Sequence, residues 1–185
     1  MAYVEKTKKY VDDLIGILQN LDFEALNQCL EVVERARDEG KNIYIFGNGG
    51  SAATASHAVC DFNKGLSYGK SRRFRVICLN DNMYTLSAYS NDVSYSDVFV
   101  EQLKNFLAPG DIVIGISGSG NSENVIRAID YANEHKATTI GFCGFDGGRL
   151  KEKAQVVFHV NVNDMQKVED IHAMFGHIAV QILKQ

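Results

Sequence analysis

The sequence predicts an α/β protein: a three-layer sandwich around a five-stranded parallel sheet, entered through an N-terminal helical hairpin. Three observations carry this. From Asn42 onward, five short apolar runs alternate with helix-like stretches, the order in which parallel strands and their crossover helices are laid down. Two of those runs lead into glycine-serine loops, Gly47-Asn48-Gly49-Gly50-Ser51 and Ser117-Gly118-Ser119-Gly120-Asn121-Ser122, and each loop opens into a helical pattern. No linker, solenoid repeat or low-complexity stretch interrupts the alternation. Residues 1–185 therefore read as one domain, with helices in 1–40 and the α/β core in 41–185.

Val11, Leu14, Ile15 and Leu18 recur at helical spacing and make the first helix, which ends before Asp22. Asp22 can cap a second helix carrying Leu26, Cys29, Leu30 and Val33, and Gly40 stops it. Strands are expected at Asn42–Phe46, Phe74–Leu79, Ile112–Ile116, Thr138–Phe142 and Val156–Val160. Between them fall helices from Ser51 to about Lys64, over Met83–Ala88 with Tyr95–Leu107, over Ser122–Glu134 and over Arg149–Ala154. Pro109-Gly110-Asp111 supplies the turn before the third strand, and a last helix runs from about Met165 to Lys184.

Composition narrows the function classes. At 45% hydrophobic and 23% charged residues, the chain is neither disordered nor fibrous. A net charge of −4 offers nucleic acid no attraction, and the one basic cluster (Lys70, Arg72, Arg73, Arg75) reads as a solvated loop. No stretch has the length and apolarity of a membrane span, and the first residues lack the apolar core of a signal peptide. Cys29, Cys60, Cys78 and Cys143 form no CxxC pair and lie in apolar segments. They are expected to be reduced core thiols of a cytoplasmic protein.

The chemistry gathers at the two loops. A strand, a glycine-rich loop and a helix N-terminus together make an anion site, because free backbone N–H groups and the helix dipole converge there. The hydroxyls and amides of these loops add groups suited to a sugar or to phosphate oxygens. Open parallel sheets bind ligands beyond the strand C-termini where strand order reverses; in the order 2-1-3-4-5 that point lies between the first and third strands, which feed both loops. Gly47-x-Gly49-x-x-Ala52 also fits a dinucleotide fingerprint, but Asp81, the acidic residue ending the second strand, comes about ten residues late for it. The second loop also has no task in a dinucleotide site. A phosphorylated polyhydroxy ligand accounts for both loops.

Acid/base candidates lie on two helices. His57 and Asp61 stand at i, i+4, and the last helix carries Glu169, His172 and His177. Glu169 and His177, eight residues apart, differ by about 80° around the axis and can point into a common region. Two histidines and two carboxylates suit proton transfer, a Zn²⁺ site or both; the competing reading is that the histidines are structural and the carboxylates solvated. Asn91-Asp92 reads first as a turn or helix cap, with a sugar-hydroxyl contact open.

These residues together resemble the sugar isomerase (SIS) domain family, and within it the phosphoheptose isomerase branch. The resemblance rests on the two loops, Asn91-Asp92, Asp146-Gly147-Gly148 and the histidine-bearing last helix, and it covers nearly the whole chain. It implies a flavodoxin-like sheet and a homotetramer with active sites between subunits. It implies interconversion of sedoheptulose 7-phosphate and D-glycero-D-manno-heptose 7-phosphate through an enediol. Phosphate would lie on Ser117, Ser119 and Ser122 with the loop backbone at Gly118, and the sugar on Asn48, Ser51 and Asp92 beside Gly49, Gly50, Asn91 and Glu169. Asp61 and His177 would exchange the proton, and a divalent metal such as zinc would fall on His57, Asp61, Glu169 and His177.

Four positions depart from the family pattern. Asp61 and Glu169 stand where glutamate and glutamine are usual, and Gln166 where aspartate is usual. Gly65 replaces an expected arginine, with Lys64 beside it. The longer carboxylate on one helix can compensate for the shorter one on the other. Rival readings are an isomerase of another sugar phosphate, a phosphosugar sensor, or a protein-binding scaffold. The absence of a DNA-binding segment in this sequence weighs against the sensor, and the retained acid/base set weighs against the scaffold.

Overall fold

The computed structural model describes residues 2–184. Two helices, α1 (Ala2–Gln19) and α2 (Phe23–Glu39), precede the sheet. Asp22 caps α2 by accepting from the Ala25 N–H, and Gly40, in the left-handed conformation, closes it. Five strands follow: β1 (Asn42–Gly47), β2 (Arg75–Cys78), β3 (Ile112–Ser117), β4 (Thr138–Cys143) and β5 (Val156–His159). All neighbouring pairs are parallel, in the order β2-β1-β3-β4-β5. The reversal of strand order therefore falls between β1 and β3, as expected.

Both faces of the sheet are covered, so its central strands are apolar throughout. Ile43 and Ile45 of β1 face a layer made by α2, α3 (Gly50–Cys60) and α8 (Met165–Leu183), while Tyr44 and Phe46 face the layer holding α5 (Val100–Phe106), α6 (Glu123–Glu134) and α7 (Gly148–Lys153). Helix α1 lies outermost. It contributes Leu14, Ile17 and Leu18 to the first layer but leaves Val11 and Ile15 each 47% exposed.

Three local expectations are corrected. The helix expected to run unbroken from Ser51 to about Lys64 widens into a π turn over Asp61–Leu66. Tertiary bonds hold that turn: Ser67 Oγ donates to the Phe62 carbonyl and accepts from the Phe74 N–H, while Asn63 pairs with both backbone groups of Val76. Strand β2 is an edge, so Asn63 satisfies outward-facing groups that would otherwise be open to another strand. The fourth helix, α4 (Met83–Asp92), runs past Ala88, so Asn91 and Asp92 end a helix rather than cap the start of one. A single 3₁₀ turn (Tyr95–Asp97) separates it from α5.

Cys60 is exposed at the end of α3, contrary to the core placement expected for all four thiols. The other three are buried, and burial pushes each thiol up to about 12, which leaves them uncharged and inert at neutral pH. All four are free, and no described helix is long and apolar enough to cross a membrane.

Candidate active site

The first loop leaves β1 at Gly47, whose N–H and carbonyl are both held by the Asn80 side chain at 3.2 and 2.9 Å. Asn80 sits just past β2, so the end of one strand braces the start of the next loop. Asn48 then turns across the strand-order reversal. It exchanges two amide hydrogen bonds, each 2.9 Å, with Asn124 in the first turn of α6, and Tyr95 donates to its Oδ1 at 2.7 Å. The two glycine-serine loops are therefore bridged by one amide pair. Ser51 is buried in the first turn of α3, its N–H on the Asn48 carbonyl.

The serine loop is equally constrained. Ser117 and Ser122 place their hydroxyls 3.0 Å apart. Ser122 precedes α6 without capping it through its side chain, so that helix start keeps N–H groups for another acceptor. Ser119 is exposed, its Oγ accepting from the Asn121 N–H. Gly120 adopts φ +67°, and a Cβ there would overlap the Gly147 carbonyl oxygen, so no other residue fits without moving backbone. At the rim, Arg149 is already engaged by Glu123 at 2.7 Å; with Arg127 it holds the Glu123 carboxyl below the usual range.

Helix α8 crosses both loops. Met165 and Val168 pack on Gly118 and Gly144, and the Glu169 carboxylate lies against Gly50, at the positive end of α3. Farther along, Gly176 faces Asp61: a Cβ there would sit 2.6 Å from Asp61 Oδ2, so only glycine admits the carboxylate. The two histidines complete the group. His57 Nε2 and His177 Nε2 are 3.0 Å apart, and they lie 3.4 and 3.9 Å from Asp61 Oδ2. That oxygen is buried with no aligned hydrogen-bond donor, since His57 reaches charge-pair distance without hydrogen-bond geometry. Both imidazoles are more than half exposed, at 59% and 66% of the side chain, so they are not core histidines.

Three donors thus converge, with their ligating atoms within 4.8 Å of one another. Glu169 is outside this group. Its angular position suits the crevice, but eight residues of helix also add a rise of roughly 12 Å, which carries its carboxylate to the first loop instead. The three-donor geometry fits a small cation. Tetrahedral zinc with Zn–N near 2.0–2.1 Å separates two imidazole nitrogens by roughly 3.3 Å, close to the separation here. The unpaired Asp61 oxygen is the third ligand such an ion needs.

Asn91 and Asp92 are exposed and tied to each other at 2.7 Å, three residues before Tyr95. Asn124, Tyr95 and Asn80 carry much of the loop geometry, yet nothing at sequence level distinguished them. His135 and His159 bond to the Tyr131 and Phe145 carbonyls, as structural histidines do. A larger groove, about 930 Å³, lies between the α1–α2 hairpin and β5, but it holds none of the candidate residues.

A SIS domain model matches residues 8–144. Over the whole chain the protein is 33% identical to phosphoheptose isomerase of Thermodesulfovibrio yellowstonii, covering 92% of that protein. The chain belongs to the SIS domain family. Within that family it sits in the phosphoheptose isomerase branch. The enzyme of that name from Clostridium acetobutylicum is 37% identical over 88% of this chain and 82% of its own length. The solved phosphoheptose isomerase GmhA from Neisseria gonorrhoeae superposes with a TM-score of 0.89 at 26% identity, covering 98% of both chains. The SIS assignment fits a site assembled where β1 and β3 deliver their loops.

Proposed function

We propose that this SIS domain protein is an aldose–ketose isomerase that interconverts sedoheptulose 7-phosphate and D-glycero-D-manno-heptose 7-phosphate. The observation that carries this reading is the His57–Asp61–His177 cluster, completed by His177 of α8, the same helix whose Met165 and Val168 pack on the serine loop. Ser117, Ser119 and Ser122, with the backbone at Gly118 and the start of α6, take the phosphate. Asn48, Ser51, Asn91 and Asp92 take sugar hydroxyls beside Gly49, Gly50 and Glu169. With the chain fixed at its far end, Asp61 removes the proton from C1 or C2 and returns it to the other carbon, and His177 serves the adjoining oxygens as acid. Fixing and proton transfer are the two contributions the reaction requires.

The expected result is exchange of the C1 proton of sedoheptulose 7-phosphate with solvent deuterium, with an aldose phosphate formed, both read by NMR. No exchange with any five- to seven-carbon ketose phosphate, with or without Zn²⁺, sinks the enzyme reading.

We further propose that His57, Asp61 and His177 hold a divalent metal, zinc by donor type, while Glu169, held at the first loop, stays outside the ligand set. When bound, such an ion would polarise the substrate carbonyl as a Lewis acid. Protein purified without chelator or affinity tag is expected to carry about one zinc per chain, and His57→Ala to lose it. Substoichiometric zinc, unchanged in that variant, leaves the acid/base cluster without a metal role.

Assembly follows from α1. A helix with Val11 and Ile15 exposed gains burial against another copy, and we propose a homotetramer in which residues 1–40 pack between subunits and 41–185 form each catalytic core. Light scattering should give about 82 kDa, four chains of 20.5 kDa. A monomer at micromolar concentration contradicts it. We propose a cytoplasmic location, which the four free cysteines support, since a reducing compartment keeps thiols unpaired.

A further inference from the structure

His172 is the least explained polar side chain in the molecule. It is 1% exposed, its ring set between Phe142 and Phe158, and its Nε2 lies 3.2 Å from the Cys143 carbonyl at the end of β4. A carbonyl only accepts, so Nε2 carries the proton. Nδ1 is then a bare lone pair, and it is buried with no partner in the chain. Burial pushes this imidazole down to about 4, so it stays neutral through the working range of an enzyme.

The other buried side-chain atom without a partner among the described residues is Asp61 Oδ2. Both residues line one cavity of about 100 Å³, together with His57 and His177 and with Thr54, Ile116, Phe142 and Phe175 as its walls. Two acceptors on residues lining one cavity cannot satisfy each other; each needs a donor, and a carboxylate oxygen that gives one lone pair to a cation keeps another for a hydrogen. The cavity has room for about three waters, and buried waters settle where polar partners converge. A water has two O–H donors, one for each acceptor.

We infer that His172 is a positioning residue for Asp61, acting through an internal water that donates one hydrogen to His172 Nδ1 and the other to Asp61 Oδ2. Resting on the isomerase reading, the device gives the carboxylate a support besides His57 and His177, which line the same cavity. It also joins the base to the end of β4 through a chain of four groups: Asp61, water, imidazole and the Cys143 carbonyl. Glycine at 176 leaves the carboxylate room to settle but gives it no hydrogen bond, which is why a second support is needed.

Two substitutions separate the two ring nitrogens. His172→Gln can keep a donor on the Cys143 carbonyl but lacks the acceptor facing the cavity. His172→Asn keeps an acceptor near the Nδ1 position and loses the bond to Cys143. The expected result is that His172→Gln lowers kcat by about 10- to 100-fold with KM within about twofold, the scale of one hydrogen bond to a charged group. His172→Asn is expected to stay within about fivefold of the parent.

The reverse order assigns His172 to the β4 carbonyl and overturns the inference, as does full activity in both. A high-resolution crystal structure of the unaltered protein decides independently of catalysis. Water within hydrogen-bond reach of both Nδ1 and Oδ2 supports the inference, and its absence overturns it even if both variants are folded and slow. Because that arm needs no substrate, failure of the isomerase reading would leave it standing.

Discussion

Asp61→Asn should lower kcat by about 10²–10⁴-fold while leaving sugar-phosphate binding nearly unchanged, the range expected when a positioned acid/base group is removed. The substitution keeps the side-chain volume and its place beside Gly176, so the π turn that carries it is not disturbed. What disappears is the acceptor basicity. An amide is not a proton acceptor at neutral pH, and neither imidazole occupies its position on the turn. The measurement is the rate of C1 proton exchange at saturating ketose phosphate, with binding followed separately by calorimetry. An exchange rate within tenfold of the parent removes Asp61 from the role of base.

Gly120→Ala carries the largest expected effect on the serine loop. The position has φ +67°, which costs a residue with a side chain roughly 1–2 kcal/mol, and the new methyl would run into the Gly147 carbonyl. Neither term can be relieved locally, because the Gly120 carbonyl accepts from the Leu150 N–H and its own N–H bonds to the Ser117 carbonyl. A total cost of about 3 kcal/mol corresponds to a fall in melting temperature of roughly 6–12 °C for a chain of this size. Phosphate affinity should fall with it, since Ser117 and Ser122 flank the displaced segment. A variant with unchanged melting temperature and unchanged phosphate affinity would show that the loop tolerates an open form.

How much of this was readable beforehand depended on whether the cause was local. The central strands β1, β3 and β4 announced themselves because burial on both faces demands uninterrupted apolar runs, and their ends were displaced by a residue at most. The Asp22 cap and the Gly40 stop were local chemistry and appeared where expected. The π turn was not readable, because the bonds that hold it come from Phe74 and Val76, beyond the end of the helix. Asn124 looked like any polar residue early in a helix; its meaning is a partner 76 positions away. Glu169 went astray for a geometric reason, since angle around a helix was weighed and distance along it was not. The convergence of His57, Asp61 and His177 was suggested by spacing on two separate helices, but only the packing of α8 across α3 brings the three atoms together.

That packing gives α8 the character of a ruler. One end rests on Gly118 and Gly144, the other presents Gly176 and His177, and nine residues from Val168 to His177 set a rise of roughly 13 Å between them. On the proposed roles, the anchoring of one end of the substrate and the chemistry at the other are spaced by residue count rather than by the contour of a cleft. Inserting a single residue between these stations would lengthen the scale by only about 1.5 Å but rotate everything beyond it by about 100°. Adapting this scaffold to shorter or longer sugars is therefore a problem of helix register, which no repainting of the cleft walls could solve.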